Sequence, residues 1–301
     1  MRIVLTGGTG FIGAPLAQAL VEKGHEVTIL TRQALASGRG KNPAFVAWSQ
    51  DGGAAWKQAL RECGAVINLA GEPIAARRWT PEQKQRIRDS RVVTTRNLVE
   101  ALREQGARPG VFLGASAVGF YGPRGDEPLG EGAPPGPGFL AKTCQAWEAE
   151  TRRAEGVAGR TVLLRIGVVL GRGGGALAKM VPPFKMFAGR PLGSGRQWMP
   201  WVHQADIIGL ALFLLEHPSA AGPINATAPN PERMRDFCKT LGRVLHRPSW
   251  APVPAPVLRL MLGEMADMLL TGQRVIPEAA QKLGYRFRFP SLEAALVDCL
   301  T

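Results

Sequence analysis

Three glycines near the amino terminus, at positions 7, 10 and 13, have the spacing of a turn that holds a phosphate group. An apolar strand precedes them and a helix is predicted from about Phe11, so the helix would point free N–H groups and its positive dipole end at an anion. Glycine also removes the side chains where a backbone must approach a pyrophosphate. The sequence therefore predicts a nucleotide-cofactor site formed by Gly7, Thr9, Gly10, Phe11, Ile12 and Gly13. The alternative is a glycine turn that only lets the helix and the strand pack closely.

The end of the second predicted strand indicates which cofactor would bind. Proteins that prefer NAD place an acidic residue there to bind the ribose diol. Here the strand ends in Leu30, Thr31 and Arg32, with no carboxylate. An arginine can bind a 2′-phosphate through two hydrogen bonds and stack on adenine. Thr31 and Arg32 therefore predict NADP(H), and the alternative is a surface arginine that follows a strand.

The elements that must position these residues alternate along the chain. Further apolar runs lie at residues 44–48, 65–70, 111–116, 161–166 and 224–226, with helical segments between most of them. One long helix is predicted to begin at Pro81, and residues 257–270 are predicted to form one packed amphipathic helix. Near-continuous apolar strands separated by helices are typical of a parallel sheet covered on both faces. The predicted fold is α/β, a doubly wound Rossmann sheet with a smaller C-terminal substrate-binding part.

The division into parts follows the change of composition at Gly171, where glycines and prolines become frequent. We expect residues 1–170 and 201–228 to form the NADP-binding Rossmann domain. Residues 171–200 and 229–301 are expected to form the smaller substrate-binding part.

Composition excludes several other classes of protein. The 301 residues carry a formal net charge of +13, but the basic residues are dispersed and no recognition helix accompanies them, so nucleic-acid binding is not favoured. No apolar run reaches the ~20 residues of a membrane helix. Four widely spaced cysteines form no metal-binding pattern, and they favour a reduced, cytoplasmic setting without a metal site.

In combination, several motifs resemble those of extended short-chain dehydrogenases/reductases, and more narrowly an atypical branch known as the epimerase family protein group. The resemblance runs nearly end to end and rests on residues 7–13, 68–72, 77–79, 90–91, 165–171, 173–176, 200–206 and 272–277. It implies a Rossmann fold and a nicotinamide cofactor. It also implies that Leu69, Ala70, Gly71 and Glu72 line the cofactor after the fourth strand, and that Val169 contacts its nicotinamide end.

The catalytic pair of the resembling family is missing. Its members use a tyrosine as acid and base, with a lysine four residues later that lowers the tyrosine pKa and binds the ribose. This chain has two tyrosines, Tyr121 and Tyr285, and neither is followed by lysine at that spacing. In the helix that should carry the pair, the two positions hold Leu140 and Cys144, or Phe139 and Thr143 in the neighbouring register. Neither register allows the usual proton relay.

Other active-site positions are partly kept. Ser116 matches the family serine that hydrogen-bonds a substrate oxygen, and Arg91 stands where an asparagine supports the relay, adding a positive charge near the cofactor. Tyr121 is the phenol nearest the site. It would act either as a substitute acid and base or as a packing residue. The sequence predicts an NADP(H)-dependent oxidoreductase or epimerase-like enzyme acting on a small molecule it does not identify. The alternative is an NADP(H)-responsive sensor or scaffold that has lost catalysis.

Overall fold

The structure, a computed structural model, describes residues 1–32, 41–48, 54–249 and 252–301. Its strands are β1 (Arg2–Thr6), β2 (Glu26–Thr31), β3 (Ala44–Ala47), β4 (Ala65–Asn68), β5 (Val111–Ala117), β6 (Pro128–Leu129), β7 (Arg160–Ile166), β8 (Val168–Leu170), β9 (Trp198–Met199), β10 (Trp201–His203), β11 (Gly222–Ala226), β12 (Glu232–Arg233) and β13 (Arg274–Val275). Its helices are α1 (Gly13–Glu22), α2 (Ala54–Leu60), α3 (Pro81–Glu104), α4 (Phe139–Arg152), α5 (Leu177–Lys185), α6 (Gln204–Glu216), α7 (Met234–Val244), α8 (Ala255–Leu262), α9 (Asp267–Leu270), α10 (Glu278–Lys282) and α11 (Leu292–Leu300).

The central element is a seven-stranded parallel sheet in the order β11-β7-β5-β4-β1-β2-β3. The predicted doubly wound α/β fold is confirmed, and all seven predicted strands take part in the sheet. The chain moves outward in opposite directions from β1, with β2 on one side and β4 on the other. This reversal leaves a crevice at the carboxyl ends of β1 and β4, where open α/β sheets bind their ligands.

Both faces of the sheet are covered, as the near-continuous apolar strands predict. Along β1, Leu5 packs with Leu16 of α1 and Leu210 of α6, whereas its neighbour Val4 packs with the helices of the opposite face. This alternation follows from the two-residue period of a strand. A separate apolar cluster outside the sheet joins β10, α7 and α11, and its largest members are Trp201 and Phe237.

Helix α3 forms where the sequence predicts it. Thr80 caps its start by accepting a hydrogen bond from the Gln83 backbone N–H at 3.2 Å, and Pro81 occupies the first turn. Its buried face includes Ile87, Val92, Thr95, Leu98 and Leu102. The helix therefore presents a long apolar stripe to the sheet. It carries Arg91 about three turns from its start.

The prediction of one packed helix over residues 257–270 is wrong. Helix α8 ends at Leu262, and Gly263 has a φ of +62°, a backbone conformation that ends a helix. A 3-10 turn and the short α9 follow. Leu260 and Met261 are 82% and 63% exposed, so a large part of the apolar face of α8 is not packed.

Within the described ranges, no helix is both long enough and apolar enough to cross a membrane.

Candidate functional site

The glycine turn lies at the crevice, between the end of β1 and the start of α1. Gly7 has a φ of +70°, and a Cβ atom there would stand 2.7 Å from the backbone carbonyl carbon of Leu69. Gly13 packs so closely on the Gly7 carbonyl that a side chain would collide with it. Gly10 is exposed on the open side of the turn, and its N–H donates to the Gly7 oxygen at 3.0 Å. The turn is therefore a cradle whose open side has no side chain at position 10.

Helix α1 begins at Gly13, two residues later than predicted, and Pro15 supplies the physical reason. Proline has no N–H, so it cannot close the helical hydrogen bond to the carbonyl of Phe11. The side-chain amide of Gln204 donates to that carbonyl instead, at 2.6 Å. No side chain caps the helix. The Ala14 N–H donates to the Gly10 carbonyl at 2.9 Å, whereas the Gly13 N–H has no hydrogen-bond partner among the described residues and remains available to a phosphate at the crevice.

The wall opposite the cradle follows β4. A buried hydrogen-bond chain holds it: the Thr6 hydroxyl donates to Asn68 Oδ1 at 2.6 Å, and Asn68 Nδ2 donates to the Thr95 hydroxyl at 2.8 Å. The Trp147 indole N–H donates to the same hydroxyl at 3.0 Å. The chain ties β1, β4, α3 and α4 together beneath Leu69. The sequence signal for this role of Thr95 is that it is a lone polar residue in an apolar helical stripe, which the predicted site did not include.

The Phe11 ring is covered by the glycine-rich loop after β8. Cβ atoms at Gly171 and Gly175 would stand 2.9 Å and 2.7 Å from its ring atoms. The loop can lie against the ring only because these residues are glycines. Val169, half-buried in β8, accepts a hydrogen bond from Ala176 N–H at 3.4 Å, so it lies directly under this loop.

The other predicted cofactor residues surround the same edge of the sheet. Thr31 ends β2, and its carbonyl accepts from the Trp48 N–H at 2.7 Å. Arg32 is exposed just beyond it, and no ion pair joins it to another residue in the described ranges. On the other side of β1, the backbone N–H of Glu72 donates to the Ser90 hydroxyl at 2.9 Å.

Arg91 reaches from α3 into the crevice next to Gly71. A Cβ atom on Gly71 would stand 3.0 Å from its guanidinium carbon, so the glycine makes room for it. The guanidinium lies 5.3 Å from the centre of the Trp147 ring and donates to the Ile87 carbonyl at 2.9 Å. No carboxylate lies within 4.0 Å of it in the part of the chain that the structure describes. Burial lowers the Arg91 pKa, and the charge of Glu72 opposes this shift without overcoming it.

Ser116 lies at the end of β5 but points into the protein. It is 2% exposed, and its hydroxyl donates to Glu148 Oε1 of α4 at 2.7 Å. Arg165 of β7 donates to the same carboxylate through Nε and Nη2, at 2.8 Å and 2.9 Å. The serine therefore completes the hydrogen bonds of a buried ion pair, which suits support of the site better than contact with a substrate.

Tyr121 belongs to the same buried network. Its side chain is 0% exposed, and its hydroxyl donates to Asn225 Oδ1 at 2.7 Å and accepts from Arg165 Nη1 at 2.9 Å. Burial raises the pKa of this hydroxyl. The arrangement suits a structural role better than the acid–base role considered for it. Glu148 and Arg165 were not among the predicted site residues, although a charged residue inside the apolar run 161–166 is a signal that a buried partner exists.

In one of the two registers predicted for the family's tyrosine and lysine, helix α4 presents Leu140 and Cys144. Leu140 and Cys144 both face Gly119, whose Cβ position lies 3.4 Å and 3.8 Å from Leu140 Cβ and Cys144 Sγ. Burial raises the pKa of the Cys144 thiol to about 11. At these positions the helix therefore offers no group that exchanges a proton readily near neutral pH.

Comparison with known families places this geometry in context. The model of the NAD dependent epimerase/dehydratase family matches residues 3–226, and that of a domain of unknown function, DUF1731, matches residues 253–299. The chain is 42% identical over 297 residues to the epimerase family protein YfhF of Bacillus subtilis, covering 98% of this chain and 97% of that protein. It is 39% identical over 302 residues to the epimerase family protein SDR39U1 of Mus musculus, covering 99% of each.

Solved structures show the same relationship. The crystal structure of the human epimerase family protein SDR39U1 (isoform 2) with NADPH has a TM-score of 0.87 to this chain, at 35% identity over 99% of both chains. UDP-glucuronic acid 4-epimerase from Bacillus cereus, in complex with UDP-glucuronic acid and NAD, has a TM-score of 0.79 at 18% identity, covering 99% of this chain and 98% of its own. The second likeness is one of fold alone.

Proposed function

Since the chain belongs to the NAD dependent epimerase/dehydratase family, we propose that its crevice binds NADP(H). The observation that carries the proposal is the cradle: Gly7 fits only as glycine, Gly10 leaves its open side bare, and the Gly13 N–H at the start of α1 has no partner among the described residues. The crystal structure of human SDR39U1 with NADPH, a relative matched over 99% of this chain, supports it. Under the proposal the cofactor contacts are Gly7, Thr9, Gly10, Phe11, Ile12, Gly13, Thr31, Arg32, Leu69, Ala70, Gly71, Glu72, Arg91 and Val169.

We propose that the protein is an oxidoreductase or epimerase-like enzyme without the usual tyrosine and lysine. NADPH supplies a hydride when bound, so the protein needs to orient the substrate and allow one proton to move. The hydroxyls of Ser116 and Tyr121 both donate to partners inside the protein. For either to act as an acid, the network around Glu148 and Arg165 would have to rearrange, so we expect water to carry the proton.

An NADP(H)-responsive sensor or scaffold is the second candidate, and the replacement of the catalytic pair favours it. Leu140 and Cys144 remove the proton relay but leave the cofactor cradle intact. A protein that reports on NADP(H) needs the cradle alone. The two candidates therefore differ in turnover and agree on cofactor binding.

Titration of NADPH and NADH against the protein, followed by ligand fluorescence, tests the shared part. We expect NADPH to bind more tightly, and Arg32→Ala to weaken NADPH by about 10-fold or more while changing NADH little, because a hydrogen bond to a charged group contributes about 1.5–3 kcal/mol. Equal weakening of both would contradict the assignment of the 2′-phosphate to Arg32. Exposed Arg108→Ala, on the loop before β5, is the matched control.

Turnover separates the enzyme from the sensor. NADPH oxidation is followed at its absorbance band with a panel of carbonyl compounds and of nucleotide sugars. Turnover that survives Tyr121→Phe supports the water route, and tight binding without turnover across the panel favours the sensor.

We further propose that residues 171–200 and 229–301 shape the substrate pocket, and that four free, buried cysteines suit a cytoplasmic protein.

A further inference from the structure

The position of Arg91 along the sheet indicates which half of the cofactor it would meet. The strands at the crevice follow the order β5, β4, β1, β2. Arg32 follows β2 and the glycine turn follows β1, so the adenosine half and the pyrophosphate of a bound dinucleotide are accounted for there. The remaining half must extend over β4 and β5. Arg91 lies on that side, between Gly71 after β4 and Trp147 of the helix after β5.

The Arg91 guanidinium has few hydrogen-bond partners, and Glu72, whose charge acts on it, forms no ion pair with it among the described residues. One guanidinium nitrogen donates to the Ile87 carbonyl, at 2.9 Å, and approaches the Ser90 hydroxyl at 3.4 Å. The other hydrogen-bonding groups of the guanidinium have no partner given by the described residues. A half-buried cation of this kind is costly unless a ligand supplies acceptors. Gly71 borders the crevice, so a ligand bound in the crevice would supply these acceptors to Arg91.

The neighbouring helix leaves space for this arrangement. Cys144, at the family's lysine position in one of the two registers, is short and buried, and the Arg91 guanidinium is close enough for its charge to act on the pKa of the Cys144 thiol, although burial has the larger effect and keeps the thiol neutral. A lysine at position 144 and an arginine at position 91 would bring two cations into one small space. The neutral cysteine and the arginine are therefore compatible where lysine and arginine would repel each other.

We propose that Arg91 binds the nicotinamide riboside half of the cofactor through its ribose hydroxyls, taking over from α3 the contact that a lysine on α4 would make. This inference rests on the proposed binding of NADP(H). It predicts that the contribution of Arg91 is confined to one half of the ligand, which neither a general packing role nor a contact with the pyrophosphate would produce.

Two ligands of different length test the proposal. NADPH spans both halves, whereas 2′-phosphoadenosine 5′-diphosphate carries the adenosine, the 2′-phosphate and both phosphates of the pyrophosphate and lacks the nicotinamide riboside. We expect Arg91→Met, which keeps the aliphatic part of the side chain, to weaken NADPH by roughly 10-fold or more and to change the affinity for the shorter ligand less than about twofold. Isothermal titration gives both constants, and circular dichroism with a thermal melt checks folding.

Three further variants serve as controls for this comparison. Arg96→Met removes another α3 arginine that contacts α4, through Glu150 at 2.6 Å, and should leave both affinities unchanged. Arg32→Ala should weaken both ligands. Arg91→Lys keeps the charge, so it should recover part of the NADPH affinity lost in Arg91→Met and should remain usable if the methionine variant does not fold.

Several results would overturn the inference. The first is an Arg91→Met protein that loses affinity for both ligands equally or for neither. The second is an Arg91→Lys protein that binds NADPH no better than the Arg91→Met protein. If the wild-type protein bound neither ligand, the proposed function itself would fail, so the two failures are distinguishable.

Discussion

Gly7 combines two constraints in one residue, a positive φ and a close approach to the backbone of Leu69. Gly24, in the turn between α1 and β2, has the first constraint alone: its φ is +79°, and nothing lies within 4 Å of its Cβ position. The two glycines therefore separate backbone conformation from close contact.

Alanine substitutions at both positions measure this difference. Gly24→Ala should lower the free energy of unfolding by about 1–2 kcal/mol, the penalty of left-handed backbone for a residue with a Cβ atom. Gly7→Ala should cost more, because the Leu69 wall must also move, and it should abolish NADPH binding. Urea denaturation and ligand titration check both. Equal costs for the two variants would show that the contact with Leu69 is not tight.

His203 is a second residue whose surroundings set a measurable property. It is 5% exposed, and its Nδ1 accepts from the Ala205 N–H at 3.1 Å, which caps α6. Burial lowers its pKa below the ordinary value of 6.5, although Asp298 and Asp206 oppose the shift. The unfolded chain therefore takes up a proton at a higher pH than the folded protein does. Stability from this group is complete above about pH 6.5 and is lost as the pH falls through the lowered pKa.

His203→Asn tests that dependence. Asparagine keeps a capping oxygen for α6 but does not titrate. We expect the free energy of unfolding of the wild-type protein to fall more steeply than that of the variant as the pH drops from 7 to 5. Denaturation curves at matched ionic strength measure both slopes. Parallel slopes would contradict the assignment to His203.

Among the elements, α4 and β7 are joined by the buried ion pair of Glu148 and Arg165. Their side chains are 4% and 3% exposed, and the Arg165 guanidinium also stacks on the Phe120 ring at 3.6 Å. The pair fixes α4 against the sheet at the point where Ser116 ends β5. A buried ion pair of this kind is costly to break from one side, since the remaining charge stays buried.

Single and double substitutions separate that cost from the net value of the pair. Glu148→Leu should destabilise the protein by about 3–5 kcal/mol, because Arg165 is left without a counter-ion. Adding Arg165→Met should restore much of this loss, since the buried charge is then removed as well. Thermal melts of both variants and of Arg165→Met alone give the comparison. A double variant no more stable than Glu148→Leu would show that the buried charge of Arg165 is not the source of the loss, and would contradict this account.

The elements also show what the sequence could predict. The seven strands of the sheet are recognisable as apolar runs, and α3 as a periodic stripe that begins at Pro81, because these signals are local. Helix α1 begins two residues later than its apolar pattern predicts because Pro15 cannot bond the Phe11 carbonyl; the partner of that carbonyl, Gln204, is almost two hundred positions away and could not be read from the sequence. The break after α8 depends on the left-handed conformation of Gly263, which composition and periodicity do not encode.

At the scale of the whole molecule, polar contacts cross between the segment after β4 and the later part of the chain. In the last turn of α8, the Leu260 carbonyl accepts a hydrogen bond from Arg78 Nη2 at 2.6 Å, and the Met261 carbonyl accepts one from Arg78 Nε at 2.9 Å. Lys84 of α3 contacts Glu264, and Lys179 of α5 contacts the Ala75 carbonyl. A cation at a helix C-terminus also interacts favourably with the helix dipole. These contacts hold α5 and α8 near the crevice.

Arg78→Ala tests how far this contact stabilises α8. We expect the amides of α8 to exchange hydrogen roughly two- to fivefold faster, while those of β1 and β4 keep their rates. Hydrogen exchange followed by mass spectrometry makes the comparison, with Arg108→Ala as the control for a lost surface charge. Unchanged exchange in α8 would show that its own packing, through Leu258, is sufficient.

The candidate site was predictable in its local part and not in its long-range part. The cradle and the Arg32 corner each lie within a few residues of sequence, so their chemistry can be read from spacing. The setting of Ser116 depends on Glu148 and Arg165, and that of Tyr121 on Asn225, which are brought together only by the folded sheet. For that reason the sequence could mark Ser116 and Tyr121 as candidates but could not show that both hydroxyls already donate inside the protein.

The burial of all four cysteines has a practical consequence. Cys63 lies in the core beneath α2, Cys144 beside the network of Tyr121, and Cys238 and Cys299 in the cluster of α7 and α11. Burial raises the pKa of these thiols, to about 12 for Cys238 and about 11 for the other three. Alkylating reagents attack the thiolate, so each cysteine reacts slowly in the folded protein for two reasons: the reagent cannot reach the buried sulfur, and the raised pKa keeps the thiol protonated. The rate at which each cysteine is alkylated in a pulse experiment would thus report how fast its own region of the native protein opens, without any added label.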